Sequence, residues 1–185
     1  MNNIKVMNSK KIFIAAFFLG AVTFGFSQDT LSTNQSEEVQ TRTSSQNPAI
    51  DGLKKQIAAN PNDTDAIVKL ATAYQDAQDW TNALATWKSM SALLPDWAPA
   101  YYSQAYVYQS MKDEENAKAS YEKYIASVKP TELEANKQNL GYAHFFVAYK
   151  LQQTDKEQAK QHIAKSLEYD PSNAEAVKLK EILNQ

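Results

Sequence analysis

The chain carries few side chains of the types that catalyse reactions or bind metals. Its two histidines, His144 and His162, fall on different predicted helices, and no HExxH motif is present. No serine lies in a GxSxG motif, no glycine-rich phosphate loop occurs, and cysteine is absent. We therefore expect no catalytic residue, no metal site and no cofactor, and we expect His162 to be exposed to solvent.

The densest run of carboxylates, at Asp113, Glu114 and Glu115, has a structural explanation. Acidic residues in the first turn of a helix interact favourably with the helix dipole. Paired catalytic carboxylates need instead a cleft that separates their pKa values. We interpret the run as a solvated helix start and predict that the protein is not an enzyme.

The N-terminal segment 1–27 differs in character from the rest. Lys5, Lys10 and Lys11 precede an apolar run over 12–26, and polar residues follow from Ser27. This pattern is typical of a secretory signal peptide, residues 1–27, cleaved after Ser27. The alternative is an uncleaved membrane anchor, but a helix over 12–26, rising about 1.5 Å per residue, is shorter than the roughly 30 Å hydrocarbon core. We expect an exported protein, periplasmic or secreted, whose mature chain is not inserted in the membrane.

Residues 28–47 are rich in Ser, Thr, Gln and Glu and hold only two sizeable apolar residues, Leu31 and Val39. Such a segment cannot bury enough surface to offset chain entropy, so we predict a disordered linker. Without the three N-terminal lysines the chain has 16 basic and 21 acidic residues, a net charge of −5. An acidic surface repels phosphate backbones, so no nucleic-acid partner is expected.

From Pro48 onward the sequence has the periodicity of an all-α protein. Apolar residues recur at three- and four-residue intervals, and the prolines lie between such runs. The predicted helices are 49–59, 64–77, 80–93, 97–111, 114–128, 132–152, 155–169 and 173–184. Predicted N-caps are Asp63, Asp79, Asp96 and Asp113, with capping boxes that pair Thr131 with Glu134, Thr154 with Glu157, and Ser172 with Glu175.

An internal repeat is the strongest signal in the sequence. The same interval, 34 positions, separates Ala49 from Ala83 and Ala83 from Ala117. A large residue follows each alanine by four positions, and a proline follows about eight positions later; these residues are Leu53, Trp87, Tyr121, Pro61, Pro95 and Pro130. A fourth copy, with Ala159, Ile163 and Pro171, comes after a longer interval of 42 positions. Small residues at this spacing allow two antiparallel helices to pack closely.

The predicted first helix of each pair repeats as well, with Ile67, Leu70, Ala71 and Tyr74 matched by Tyr101, Gln104, Ala105 and Tyr108. Together with the second-helix residues, this pattern resembles the tetratricopeptide repeat family. The resemblance implies an all-α, right-handed superhelix of stacked antiparallel helix pairs over residues 48–185. The predicted parts are a half unit 48–61, a unit 62–95, a unit 96–130, an irregular unit 131–171 with one long helix, and a capping helix 172–185.

The same resemblance implies a concave groove, lined by the first helix of each unit, that accepts a peptide. The groove-facing residues it implies are Asp65, Val68, Thr72, Gln75, Tyr102, Tyr106 and Gln109, with His144, Ala148 and Leu151 from the irregular unit. Tyr102 and Tyr106 share a helix face, and the alternative is that they pack within the solenoid. Family members that bind a peptide's terminal carboxylate use Lys, Arg and Asn, where this chain has Val68, Thr72 and Ser103.

We therefore predict a non-catalytic protein–protein interaction module or scaffold in the cell envelope that holds another protein or a peptide segment. The alternative is a structural subunit that self-associates, for example as a homodimer, through the long helix 131–152.

Overall fold

A computed structural model describes residues 47–185, so the predicted signal peptide and the predicted linker up to residue 46 lie outside the described residues. Within this range the chain forms eight α-helices, one short 3-10 turn at Pro130–Glu132, and no strand. The helices are α1 (Pro48–Ala59), α2 (Thr64–Asp76), α3 (Trp80–Leu93), α4 (Ala98–Ser110), α5 (Glu114–Ser127), α6 (Leu133–Leu151), α7 (Lys156–Tyr169) and α8 (Ala174–Leu183). None of these helices is both long and apolar enough to span a bilayer.

Each helix packs mainly against its neighbours along the chain. The pairs are antiparallel, as in α6 and α7, where Ser166 near the end of α7 donates a hydrogen bond to the carbonyl of Gly141 in the first half of α6. Three hydrophobic clusters follow one another along the stack, and each joins side chains from successive helices. The predicted all-α stack of antiparallel helix pairs is confirmed.

The repeating alanines lie in the buried clusters between paired helices. Ala71 and Ala83, and likewise Ala105 and Ala117, are completely buried at 0% exposure. Close packing at these points leaves no room for a larger side chain, which explains their period. Ala49 is exposed among the described residues, in which α1 is the first helix.

Polar side chains join the two helices of each regular repeat in an equivalent way. The indole Nε1 of Trp87 donates to Gln75, and the hydroxyl of Tyr121 donates to Gln109, so that corresponding positions of two successive repeats make the same contact. Gln104 adds bonds from α4 to the Trp87 carbonyl at 3.2 Å and to another α3 side chain. Among the described residues no buried side-chain N or O atom lacks a partner, as a stable core requires.

The helix starts confirm part of the predicted capping. Asp63, Asp79 and Asp113 each accept a hydrogen bond from the backbone N–H three residues later. The prediction is wrong at Asp96, because α4 begins after Trp97 without a side-chain cap.

The three predicted capping boxes are also wrong. Helix α7 is capped by Asp155 and α8 by Asn173, each one residue after the predicted cap, whereas Thr131 lies in the 3-10 turn that leads into α6. Ser172 instead donates to Asp170 at 2.6 Å. Aspartate and asparagine are as good N-caps as serine or threonine, so the local turn geometry decided between adjacent candidates.

The irregular unit contains the long helix that was predicted. Helix α6 has 19 residues, and most of its first turns are exposed, including Leu133 at 37%. Asn136 anchors this segment by accepting a 3.0 Å hydrogen bond from the hydroxyl of Tyr124. Gly141 permits the close approach of α7, because a Cβ there would lie 3.1 Å from the Cβ of Asp170.

Candidate interaction face

The side chains predicted to line a groove lie on the first helices of the pairs, α2, α4 and α6. We call this side of the stack the first-helix face. On α2, Asp65 is exposed, whereas Val68 and Thr72 are half-buried. The hydroxyl of Thr72 donates to the Val68 carbonyl at 2.9 Å, which leaves its methyl group as part of the surface. This end of the face is small and mostly apolar.

Gln75 does not lie on this surface. Its side chain is 6% exposed, and its amide oxygen accepts the indole N–H of Trp87. The residue therefore fixes the indole of Trp87 on α3 against α2. Any effect of Gln75 on a partner would be transmitted through the packing rather than through direct contact.

Helix α4 presents Tyr102 and Tyr106, both half-buried. The Tyr102 ring meets Tyr121 and Tyr124 edge-on, with centroids 5.5 and 5.1 Å apart. Tyr106 meets Trp80 in the same way at 6.2 Å. Burial raises the pKa of Tyr102 well above its ordinary value of 10, so its hydroxyl stays neutral and can donate a hydrogen bond. Both rings pack within the solenoid and also contribute to the surface.

Gln109 connects α4 to α6. Its amide nitrogen donates to the hydroxyl of Tyr142 at 2.9 Å, while its oxygen accepts from Tyr121. Burial raises the pKa of Tyr142, and the carboxylate of Glu175 on α8 acts in the same direction, while the Gln109 bond opposes it. Gln109 therefore fixes one tyrosine on each of two neighbouring helices.

The predicted register of α6 is wrong by one residue. His144 and Ala148 are buried and Leu151 is half-buried in the core, so these three do not form the surface. Their successors Phe145 and Tyr149 do, and Tyr149 is 49% exposed. The cause is the length of the hairpin. Ala148 and Ala159, both buried in one cluster, are one position closer in sequence than the paired alanines of the regular repeats.

The surface residues that the sequence analysis missed are therefore Tyr142, Phe145 and Tyr149. Their rings follow one another along α6, with centroids 6.3 Å apart for the first pair and 6.4 Å for the second. Together with Tyr102 and Tyr106 they form a band that we call the aromatic stripe. Tyr121 underlies it, because its ring contacts both Tyr102 at 5.5 Å and Tyr142 at 5.7 Å.

The expectation that His162 is solvated is also wrong. His162 is half-buried, and its Nδ1 lies 3.0 Å from Nδ1 of His144. Burial, with a smaller contribution from His162, lowers the pKa of His144 to about 4, so that ring is neutral near pH 7. The two histidines hold α6 against α7 behind the aromatic stripe.

The face offers aromatic rings, amides and hydroxyls but little charge. Val68, Thr72 and Ser103 provide no cation for a peptide carboxylate. The described residues contain no group of three or more side chains that could hold a metal ion. Side chains of this kind suit stacking and hydrogen bonding to an extended peptide.

Comparison with known proteins agrees with this architecture. Family models described as tetratricopeptide repeat match residues 65–96 and 98–127. No curated protein matches the chain in sequence.

Solved structures show the same fold at low identity. MamA matches with a TM-score of 0.59 and 18% identity, over 82% of this chain and 84% of MamA. The C-terminal part of a TPR repeat-containing protein from Cytophaga hutchinsonii matches with a TM-score of 0.63 and 23% identity, over 77% of this chain and 57% of that chain. The first TPR of Spaghetti (RPAP3), solved with the HSP90 peptide SRMEEVD, matches with a TM-score of 0.51 and 16% identity, over 66% of this chain and 90% of that chain.

Taken together, the stacked antiparallel pairs have the fold of a tetratricopeptide-like α-solenoid, and residues 65–96 and 98–127 match models of the tetratricopeptide repeat.

Proposed function

We propose that this protein is a non-catalytic interaction module of the cell envelope that binds an extended segment of another protein along the aromatic stripe. Proteins with this repeat generally act as protein-interaction scaffolds. The observation that carries the proposal is the stripe itself. Its five aromatic rings come from two successive first helices and retain exposed surface up to 49% at Tyr149.

The chemistry of the face indicates which segments it binds. Tyrosines lose little conformational entropy on binding and offer both apolar area and a hydroxyl. The HSP90 peptide bound by Spaghetti is rich in acidic residues, but here the face has Asp65 and no cation at the positions of Val68 and Thr72. We therefore propose a partner segment with apolar or aromatic side chains, held by ring contacts and backbone hydrogen bonds.

The location in the envelope is supported by the basic and apolar pattern of residues 1–27. A mature protein of this kind would meet its partner in the periplasm or outside the cell. Mass spectrometry of the mature N-terminus from an envelope fraction tests this part separately. A chain that begins at residue 28 is the expected result, and an intact N-terminus in the cytoplasm would contradict it.

The binding proposal is tested with the double variant Phe145→Ala and Tyr149→Ala. Tyr149 is 49% exposed, whereas Phe145 is half-buried and packs against the third hydrophobic cluster, so a thermal melt must first show that the variant is folded. A pull-down from the envelope fraction should lose the partners that the unaltered protein captures. Met111→Ala, at a residue 43% exposed in the turn after α4, is the matched control and should retain them.

A second pair, Tyr102→Ala and Tyr106→Ala, tests the α4 half of the stripe. Thermal melts must first show that each variant is folded, because Tyr102 packs on Tyr121 and Tyr124. If folded variants of both halves retain every partner, the stripe is not the binding surface.

Self-association is the alternative function, and the exposed start of α6 favours it. Leu133 is 37% exposed in a segment of α6 whose residues up to 138 are mostly solvent-exposed. Sedimentation of the mature protein at micromolar concentration distinguishes the two functions. A dimer that Leu133→Lys converts to a monomer would support self-assembly, and a monomer throughout would exclude it.

A further inference from the structure

The two histidines form a contact inside the hairpin of α6 and α7 that the proposed binding does not use. Their Nδ1 atoms are 3.0 Å apart, and the ring centroids are 5.0 Å apart. His144 is 8% exposed, and its ring also stacks on Tyr169 with centroids 5.8 Å apart. The contact therefore joins α6 to α7 at a largely buried position.

The contact between the two Nδ1 atoms is possible only while at least one of the two rings is neutral. In a hydrogen bond between two imidazoles one Nδ1 donates and the other accepts. A single added proton is tolerated, because the ring that stays neutral can carry its proton on Nε2 and still accept. A second added proton places N–H groups on both Nδ1 atoms, which then face each other across 3.0 Å. The closed hairpin therefore excludes the doubly protonated pair.

The surrounding charges do not compensate for two imidazolium ions. The charged side chains that act on the two rings lie on α5 and α7, and each helix supplies one lysine and one glutamate. Lys118 and Glu122 form an ion pair at 2.8 Å, and Lys165 and Glu168 form another at 2.8 Å. Each carboxylate is already matched by a lysine, so the site has no net negative charge to hold added protons.

We propose that His144 and His162 form a pH-sensitive latch: the neutral pair keeps the α6–α7 hairpin closed, and protonation of both rings at acid pH opens it. Burial lowers the pKa of both histidines, that of His144 to about 4. In the open hairpin each ring returns to its ordinary pKa of about 6.5. The stabilisation is therefore complete above about pH 6.5 and is lost as the pH falls towards 4.

Opening of the α6–α7 hairpin would affect the C-terminal part of the stack. The third hydrophobic cluster joins Ala148 on α6, Ala159 and Ile163 on α7, and the buried side of α8. Separation of α7 from α6 thus releases α8 as well, while the first cluster, built on α1 to α4, is not part of this contact.

Native-state hydrogen exchange of the chain at about pH 7 and about pH 4.5 tests the latch. After correction for the intrinsic exchange rate, protection of α7 amides should fall about one to two orders of magnitude more than protection of α3 amides. His144→Gln should shrink this extra fall, because glutamine does not titrate and its side-chain oxygen can accept from protonated His162. Should that variant not fold, His162→Gln serves instead. The side-chain oxygen of the glutamine can accept a hydrogen bond from protonated His144, so the extra fall should shrink.

The matched control is Ser166→Ala, which removes the 2.8 Å bond to the Gly141 carbonyl in the same hairpin. It should lower α7 protection equally at both pH values and keep the pH-dependent difference. Equal loss of protection in α3 and α7 of the unaltered chain would overturn the proposal. So would an extra fall of undiminished size in the folded histidine variants, or a His144 pKa above 6 in an NMR titration.

Discussion

Two turns of the solenoid hold non-glycine residues in a left-handed conformation. Gln78 has φ of 56° and Lys112 has φ of 60°, and the two occupy equivalent turns of successive repeats. Each residue follows the end of a helix, and the amide of the residue after it donates a hydrogen bond back to a carbonyl in that helix. In the first turn the Asp79 amide donates to the Tyr74 carbonyl at 2.8 Å. This is the arrangement in which glycine is usually found. We predict that glycine at both positions stabilises the protein.

The magnitude follows from two opposing terms. A Cβ in the left-handed region costs roughly 1–2 kcal/mol, which glycine removes. Glycine also increases the entropy of the unfolded chain, which costs roughly 0.5–1 kcal/mol. With the middle of each range, each substitution should therefore raise the free energy of unfolding by about 0.75 kcal/mol. The turns are far apart, so Gln78→Gly with Lys112→Gly should give about 1–2 kcal/mol and raise Tm by about 3–8 °C.

Thermal and urea unfolding followed by circular dichroism measures the effect, and two variants serve as controls. Lys112→Ala keeps the Cβ and should give no gain. Thr154→Gly lies in the corresponding turn between α6 and α7, where no residue has a positive φ, so it should lower stability slightly. If Lys112→Gly gives no increase, or if Thr154→Gly gives the same increase, the attribution to the left-handed backbone is refuted.

Two further predictions concern the core. Ala83→Leu and Ala117→Leu should each lower the free energy of unfolding by roughly 1–3 kcal/mol, because both sites are 0% exposed between packed helices; unchanged melting of both variants would contradict this packing. Gln75→Leu should cost about 1–3 kcal/mol, because the buried indole N–H of Trp87 loses its acceptor. Denaturant unfolding measures this cost, with the exposed Gln161→Leu as a control expected to change stability by less than about 0.5 kcal/mol.

Features that depend on local periodicity could be predicted from the sequence. The helix positions agree with the structure to within about two residues, and the alanines at 83 and 117 are buried as their spacing indicated. Aspartates 63, 79 and 113 cap helices as expected. Where two good N-caps are adjacent, as at Thr154 and Asp155, the sequence could not choose between them, because both side chains can reach the free amides.

The α4 part of the candidate face was also predicted, since Tyr102 and Tyr106 belong to a regular repeat. The α6 part was not. A hairpin shortened by one residue between Ala148 and Ala159 moves Phe145 and Tyr149 to the surface. A register shift of one residue rotates the exposed side of a helix by about 100°. The sequence signal for the shift was an alanine 11 positions before Ala159, where the regular repeats have 12 positions between their paired alanines.

The sequence by itself determined the helices, their pairing and the stacking of the regular repeats, because helical periodicity and small side chains at fixed spacing act over short stretches of chain. Only the tertiary structure decided which residues of α6 form the aromatic stripe and that His144 meets His162 across the hairpin. Those contacts depend on how two helices are aligned by the length of the hairpin between them, and no local pattern records that alignment.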